Sequence, residues 1–346
     1  MNIGILTGGG DCPGLNAVIR AIVKKSHQLG WECMGIQNGW KGLIEMDMLS
    51  LDIESVSGIL QKGGTILGTS RTNPYKIENG EEIVFENAKM TGLDALVAIG
   101  GEDTLGVAAK LAKAGFKVVG VPKTIDNDLY GTDYTFGFDT AVNIAMEAID
   151  RIHTTAESHH RVMIVEVMGR HAGWIAIHSG MAAGADMIFI PEHIISIESV
   201  IKVVNNRKKR GRKFSIIVVA EGAQISESDR KEGKMILQDE KLDAFGHVRL
   251  GGISNVLADL IEQRTGVESR ATILGHVQRG GSPTAFDRVL GSRFGVYAVE
   301  MIKEGKFGKM AALRGTEIID IPIEDAVTVT KTVDDKLFNT AKVFFS

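Results

Sequence analysis

Apolar residues recur along this chain in short unbroken runs that are separated by longer stretches with apolar residues at helical spacing. The short runs are typical of buried strands, and the longer stretches are typical of amphipathic helices. The strand-like runs are 3–6, 34–37, 93–99, 118–121, 162–167, 187–190, 214–220 and 271–275. The helix-like stretches are 15–29, 104–115, 138–157, 171–183, 196–210, 252–264 and 285–304. This alternation predicts an α/β fold of mainly parallel sheets covered by helices.

Glycine and polar residues follow directly after several of these runs. The chain has 41 glycines among 346 residues, above the usual share, and they concentrate where a strand leads into a helix. Open α/β sheets bind their ligands at the carboxyl ends of the strands. We therefore expect these loops to form the functional site.

Two of the loops carry carboxylates beside glycines or a lysine, at 100–104 and 122–128. A glycine turn lets the backbone approach an anion, and the helix after it directs N–H groups at that anion. Carboxylates at the same place hold Mg²⁺ or accept a proton from a hydroxyl group. The combination predicts phosphoryl transfer.

The first glycine loop, 7–17, departs from the known nucleotide-binding fingerprints. Gly8 and Gly10 match the first spacing of a dinucleotide loop, but Pro13 stands at the third glycine position and Gly14 comes one residue late. No GxxxxGK[ST] sequence occurs. From this loop alone, two interpretations stay open: an anion-binding turn, or a turn that only links strand to helix.

Composition limits the classes of partner. The net charge of −4 argues against nucleic acid or an acidic membrane surface as a general partner, so local Arg and Lys have to hold any anionic substrate. The basic run 207–213 is typical of a solvated helix end. Cys12 and Cys33 indicate a reduced cytoplasmic protein without a disulfide framework. No apolar run reaches the ~18 residues of a membrane span.

Six segments together resemble the 6-phosphofructokinase family, in order from about residue 1 to about residue 300. They are 7–17, 63–71, 100–104, 122–128, 166–170 and 275–283. The resemblance implies two Rossmann-like domains with the active site in the cleft between them. It implies a donor domain of 1–137 plus 278–328 and a fructose 6-phosphate domain of 138–277 plus 329–346, with 224–246 as a surface excursion of the second.

The resemblance also implies roles for individual residues. Asp126 is expected to be the catalytic base, and Glu102 is expected to bind the cofactor Mg²⁺. The other expected catalytic residues are Asp103, Lys123, Arg71 and Arg170. The expected substrate-binding residues are Gly10, Thr124, Ile125, Asp126, Asp128, Arg161, Met168, Gly169, Arg170, Glu221, Arg270, His276, Val277, Gln278 and Arg279. A neighbouring subunit is expected to contribute Arg161 and Arg270, which implies a homodimer or homotetramer.

The residues at 103 and 123 bear on the phosphoryl donor. ATP-using members of the family have Gly at both positions, whereas members that use inorganic pyrophosphate carry this Asp and this Lys. A carboxylate at 103 repels the α-phosphate of a nucleotide, since like charges ~4 Å apart cost about 4 kcal/mol at an effective dielectric constant of ~20. Val107 is expected to narrow further the space through which a nucleotide would approach. The implied reaction is reversible transfer from pyrophosphate to the 1-hydroxyl of fructose 6-phosphate.

Three alternatives remain open at this stage. They are an ATP-dependent phosphofructokinase with an atypical donor site, a different small-molecule kinase with a Gly-Gly-Asp-like loop, and a sugar-phosphate sensor without activity. The segments 122–128 and 275–283 argue against the second, and Asp126 with Glu102 and the arginines argues against the third.

Overall fold

A computed structural model of the chain describes residues 1–226, 234–235, 237–239 and 249–345. The strands are β1 (Asn2–Thr7), β2 (Glu32–Ile36), β3 (Met48–Leu51), β4 (Ala95–Gly100), β5 (Val118–Thr124), β6 (Phe136–Gly137), β7 (Val162–Val167), β8 (Met187–Phe189), β9 (Ile195–Ser196), β10 (Ser215–Ala220), β11 (Gln224–Ser226), β12 (Lys234–Met235), β13 (Leu237–Asp239), β14 (Arg249–Leu250), β15 (Ser269–Ile273), β16 (Lys309–Arg314) and β17 (Glu317–Pro322). The α-helices are α1 (Leu15–Gln28), α2 (Trp40–Glu45), α3 (Gly80–Met90), α4 (Glu102–Lys113), α5 (Phe138–His159), α6 (Trp174–Ala182), α7 (Ile197–Lys209), α8 (Ile253–Thr265), α9 (Ala285–Lys303), α10 (Ile323–Thr328) and α11 (Asp335–Lys342). Short 3₁₀ helices span Pro74–Lys76 and Gly275–Arg279.

The described residues form two compact units. Unit 1 contains Met1–Thr140 and Arg279–Thr330, and the other described residues belong to unit 2. None of the helices in these residues is long and apolar enough to cross a membrane.

Unit 1 is built on a sheet with the strand order β17-β16-β5-β4-β1-β2-β3, and β6 pairs with β5. The pairs among β2, β1, β4 and β5 are parallel, whereas β3 and β17 run antiparallel to their neighbours at the two edges. Every residue of β4 and β5 is buried. This burial agrees with the unbroken apolar runs that mark parallel strands covered on both faces.

The core of unit 1 lies where α4 covers the sheet. Leu105 and Leu111 of α4 are fully buried in a cluster that includes Leu96 and Met310 of the strands. Phe116 closes this cluster and meets Phe85 edge to face, with ring centroids 5.1 Å apart. Burial of the apolar face of α4 therefore fixes where the helix begins, close to the end of β4.

Unit 2 contains a second sheet with the order β15-β7-β10-β8, and all its pairs are parallel. The register pairs Val162 with both Ser215 and Ser269, so β7, β10 and β15 end at nearly the same level. Helices α7 and α8 cover this sheet through a buried cluster that includes Val204 and Leu257. The α/β class with mainly parallel sheets, predicted from the alternation, is confirmed.

Several details differ from the sequence prediction. Helix α6 begins at Trp174 rather than at 171, because residues 169–172 form a separate turn in which the Ala172 N–H donates to the Gly169 carbonyl at 3.0 Å. The antiparallel pair β16–β17 and the helices α3 and α11 were not predicted. Of the predicted excursion 224–246, only β11, β12 and β13 lie within the described residues.

Candidate active site

The loop after β1 is anchored on both sides. Its Gly8 N–H donates to the carbonyl of Ile99 at 3.0 Å, and its Gly9 carbonyl accepts from the Thr69 hydroxyl at 2.6 Å. A Cβ on Gly8 would lie 2.5 Å from the hydroxyl oxygen of Thr104, so only glycine fits there. These contacts place the loops 7–17, 63–71 and 100–104 side by side in unit 1.

Two cations hold consecutive carbonyls of this loop. The ammonium of Lys123 donates to the Gly10 carbonyl at 2.5 Å, and the guanidinium of Arg279 donates to the Asp11 carbonyl at 3.2 Å. A Cβ on Gly10 would lie 2.6 Å from Nη1 of Arg279. Arg279, predicted with the sugar-phosphate ligands, thus lies in unit 1 against the loop 7–17.

Lys123 is held rigidly, because β5 continues through Thr124 rather than ending at 121 as predicted. Lys123 is only 3% exposed. Burial is the main cause that lowers the pKa of Lys123 to about 8, and the positive charge of Arg279 acts in the same direction. The ammonium therefore loses its proton close to physiological pH.

Cys12 is a packed residue. It is fully buried, and its thiol donates to the Phe136 carbonyl at 3.7 Å. Burial raises the pKa of the thiol to about 12. Cys12 is therefore a neutral thiol, as expected for a packed side chain, and supplies no nucleophile.

Asp126 and Asp128 follow β5. Asp126 is 5% exposed, and its Oδ1 is buried with no hydrogen-bond partner among the described residues. Burial, together with the nearby carboxylates of Asp126 and Glu102, raises the pKa of Asp128 to about 7. This arrangement leaves a carboxylate oxygen of Asp126 available to a substrate proton.

Glu102 and Asp103 are the first two residues of α4, with Gly101 at the N-cap. Their carboxylates lie at the positive end of the helix dipole. Thr104 is buried inside the first turn and packs against Gly8. Val107 is 3% exposed and belongs to the core of unit 1, so its side chain does not face a ligand.

Arg71 is exposed and follows Ser70, whose carbonyl accepts from the Gly9 N–H at 3.1 Å. The structure thus brings the expected catalytic, substrate-binding and metal-binding residues of unit 1, other than Arg279, to neighbouring loops. They are Gly10, Arg71, Glu102, Asp103, Lys123, Thr124, Ile125, Asp126 and Asp128.

In unit 2, the loop after β7 is shaped by neighbouring strand ends. The Arg170 N–H donates to Oε1 of Glu221 at 3.3 Å, and the Met168 N–H donates to Oε1 of Gln278 at 3.3 Å. Gly222 has no room for a side chain, since a Cβ would lie 1.7 Å from the Arg170 carbonyl. The structure brings these predicted residues, with Gly169 between them, to the carboxyl ends of β7, β10 and β15. His276 and Val277 are exposed on the 3₁₀ turn that follows β15.

Arg161 and Arg270 lie at the other end of this sheet. Arg161 precedes β7, and Arg270 is the second residue of β15. A six-residue strand spans roughly 20 Å, so these arginines are far from Met168 and Arg170 of the same chain. Within one chain, the structure does not bring the two groups together.

Arg161 and Arg270 share one carboxylate that sequence reasoning missed. Oε1 of Glu268 lies 2.8 Å from Nη2 of Arg161 and 2.5 Å from Nη2 of Arg270. The hydrogen bond from Arg161 lowers the pKa of Glu268. The spacing of Glu268 and Arg270 was a usable signal, because residues two apart in extended chain point to the same face.

Comparison with known proteins agrees with this architecture. The Phosphofructokinase family model matches residues 2–302. A pyrophosphate--fructose 6-phosphate 1-phosphotransferase of Streptomyces coelicolor is 58% identical over all of both chains. An ATP-dependent 6-phosphofructokinase 3 of the same organism is 53% identical over 99% of each. The chain therefore belongs to the phosphofructokinase family.

Solved structures show the same fold. A phosphofructokinase of Saccharomyces cerevisiae matches with a TM-score of 0.80 and 30% identity, over 99% of this chain and 46% of that chain. The chain thus spans about half the length of the yeast subunit. A pyrophosphate-dependent phosphofructokinase of Marinobacter aquaeolei matches with a TM-score of 0.81 and 21% identity, over 100% of this chain and 91% of that chain.

Proposed function

We propose that the protein is a diphosphate--fructose-6-phosphate 1-phosphotransferase. It transfers a phosphoryl group reversibly from pyrophosphate to the 1-hydroxyl of fructose 6-phosphate, giving fructose 1,6-bisphosphate and phosphate. The observation that carries the proposal is the buried ammonium of Lys123 on the carbonyl of Gly10 in the donor loop. Three full-length relatives at 57–58% identity bear the name of this activity.

Sequence identity to named relatives does not by itself distinguish pyrophosphate from ATP as the phosphoryl donor. A relative named as ATP-dependent is 53% identical, whereas one from Dictyoglomus thermophilum named as pyrophosphate-dependent is 49% identical. The donor has to be argued from the site. Asp103 places a carboxylate in the first turn of α4, where a nucleotide's α-phosphate would be repelled. Lys123 supplies a cation to the phosphate that leaves.

The acceptor hydroxyl needs a group that takes its proton as the new P–O bond forms. Asp126 offers a buried carboxylate oxygen with no protein partner among the described residues. A positioned carboxylate of this kind acts as a general base. Thr124, whose hydroxyl accepts from the Asp126 N–H at 3.0 Å, fixes the orientation of the loop.

Arginine side chains offset the charge of the phosphates because their planar fork binds two oxygens at once. We assign Arg71 and Arg170 to the transferring phosphoryl group and Glu221 to the sugar hydroxyls. We assign Arg161, Arg270, His276 and Arg279 to the 6-phosphate. The position of Arg161 and Arg270 at the amino ends of the sheet supports their contribution to a neighbouring subunit, in a homodimer or homotetramer.

We propose Mg²⁺ as the cofactor, with Glu102 as its protein ligand. The carboxylates of Asp126 and Glu102 are close enough to Asp128 to raise its pKa, so negative charge is concentrated beside Glu102, and carboxylate oxygens are ligands that suit Mg²⁺. Within the described residues no three His, Cys, Asp or Glu side chains form a metal-binding group. Mg²⁺ commonly takes one or two carboxylates and completes its shell with phosphate oxygens and water. Bound there, Mg²⁺ would neutralise charge on the donor phosphates.

The proposal assigns the donor residues, Asp126 and Arg279 to unit 1 and the other sugar-phosphate residues to unit 2, and it places the activity in the cytoplasm. Both cysteines are unpaired thiols, which agrees with a reducing compartment. A parallel assay of fructose 6-phosphate with pyrophosphate and with ATP, each with Mg²⁺, tests the function directly. Preference for ATP would establish the alternative donor, and binding of fructose 6-phosphate without turnover of either donor would establish a sensor.

A further inference from the structure

Glu268 occupies the phosphate-binding groups of two arginines at once. Its Oε1 contacts Nη2 of Arg161 at 2.8 Å and Nη2 of Arg270 at 2.5 Å. Arg270 also contacts Oε2 of Glu262 at 3.2 Å. The four side chains therefore carry two positive and two negative charges, and the group is neutral. A phosphate ion that binds both arginines has to compete with Glu268 for the same N–H groups.

The backbone holds this arrangement in place. The Val162 N–H donates to the Glu268 carbonyl at 3.0 Å, and the Ser269 N–H donates to Oε2 of Glu262 at 3.0 Å. The Nε–H of Arg161 is a further hydrogen-bond donor, because Nε is buried and has no hydrogen-bond partner among the described residues. A guanidinium with a spare buried donor is suited to a second anion.

Resting on the proposed function, we infer that Glu268 is a built-in competitor of the 6-phosphate, which weakens the binding of fructose 6-phosphate by holding Arg161 and Arg270. The competition is modest. Glu268 and Arg270 are 40% and 52% exposed at their side chains, so water screens their attraction. A phosphate dianion, with more charge and more acceptor oxygens, displaces the carboxylate.

The test is the Glu268→Gln variant, assayed for turnover and for fructose 6-phosphate binding by calorimetry without donor. Removing the charge frees both arginines, so the dissociation constant and the KM for fructose 6-phosphate should fall about two- to fivefold, the range of an exposed ion pair. The KM for pyrophosphate and the turnover number should stay within about twofold of the wild type. The fold should persist because the carbonyl of Glu268, not its side chain, bonds to β7.

Glu198→Gln is the matched control. It makes the same charge change in an exposed pair with Arg264 elsewhere in unit 2, and it should leave the KM for fructose 6-phosphate unchanged. Equal or weaker binding in Glu268→Gln would overturn the inference, because it would show that Glu268 only positions the arginines. A wild-type protein that binds no fructose 6-phosphate would instead reject the proposed function.

Discussion

The ammonium of Lys123 donates a hydrogen bond to the carbonyl of Gly10 at 2.5 Å, and this contact joins the end of β5 to the loop after β1. The two residues are 113 positions apart in the chain. Because the Gly10 carbonyl accepts from Lys123, the ammonium lies directly against this loop. The pair therefore fixes the loop and supplies a positive charge beside it.

The charge of Lys123 predicts a pH dependence. Burial lowers its pKa to about 8, so the ammonium is present below that pH and is lost above it. We expect kcat/KM for pyrophosphate, which reports the free enzyme, to fall as pH rises through about 8. The arginine of Lys123→Arg stays charged over this range, so this variant should not show the fall. Since both proteins see the same donor ionisation, identical pH profiles would show that Lys123 is not the titrating group.

Substitution of Asp126 tests the general base. Asp126→Asn keeps the shape of the loop but removes the acceptor of the hydroxyl proton. Turnover should fall by roughly 10² to 10⁴, the usual range for loss of such a group. The KM for fructose 6-phosphate should change little, because binding and proton transfer are separate contributions. Turnover above about half of the wild-type value, with chemistry rate-limiting, would exclude this role.

Mixed oligomers test the contribution of Arg161 to a neighbouring subunit. Arg161→Ala and Asp126→Asn chains should each be nearly inactive, and unfolding and refolding them together should restore activity. A hybrid contains one site with both Asp126 and the neighbour's Arg161. The control is a chain carrying both substitutions, which should gain nothing from mixing with Asp126→Asn. Full activity of a demonstrably monomeric wild-type preparation would contradict the shared site.

Much of the fold was predictable because strands and helices each bury apolar residues at a characteristic spacing along the sequence. The run 162–167 became β7 without change of bounds, and 138–157 became most of α5. The edge pair β16–β17 was missed because β17 is only partly buried and has no unbroken apolar run. The start of α6 was misplaced because residues 169–172 form a separate turn, closed by the Ala172 N–H and the Gly169 carbonyl, which the apolar pattern does not indicate.

The candidate site was predictable where glycines and carboxylates follow strands, and less so where distant loops meet. The position of Arg279 on the donor loop depends on a contact 268 residues apart, which no local pattern contains. Val107 was expected to narrow the approach of a nucleotide, but its position on α4 directs its side chain into the core of unit 1. Glu268 was missed because its importance arises only when β15 pairs with β7 and brings Arg161 alongside.

An acidic residue at the sheet edge predicts acid-sensitive stability in unit 1. Hydrogen bonds from Lys306 and Lys309 lower the pKa of Asp320 to about 2, below the ordinary value of about 3.9. The charged form is favoured in the folded state, so this stabilisation is complete above about pH 4 and is lost as pH falls through about 2. The urea midpoint of Asp320→Asn should be lower than that of wild type at pH 7.

The difference between the urea midpoints of wild type and Asp320→Asn should become smaller below pH 4. It should also become smaller in 1 M salt, because Lys306 and Lys309 are 35% and 40% exposed. Glu304→Gln is the control, since Glu304 is 58% exposed and its carboxylate lies 2.9 Å from Nζ of Lys306. A gap that is independent of pH would attribute the effect to packing instead of charge.

Donor choice gives the sharpest test of the proposed function. Wild-type protein should turn over pyrophosphate with Mg²⁺ and show little or no activity with ATP. Asp103→Gly removes the charge that repels the α-phosphate, so ATP should begin to bind. Lys123→Gly removes the cation beside the leaving phosphate, so turnover with pyrophosphate should fall. Since each residue acts on the same bound donor, the effects should be non-additive in the double variant.

The ratio of kcat/KM for the two donors is the measurement, and it cancels losses that come from weakened folding. Removal of a repulsion of about 4 kcal/mol sets an upper limit of roughly 10³ on the gain for ATP from Asp103→Gly. Glu102→Gln serves as the control, because loss of a metal ligand should weaken both donors alike. A wild-type preference for ATP, or an unchanged donor ratio in Asp103→Gly, would reject pyrophosphate as the donor selected by this site.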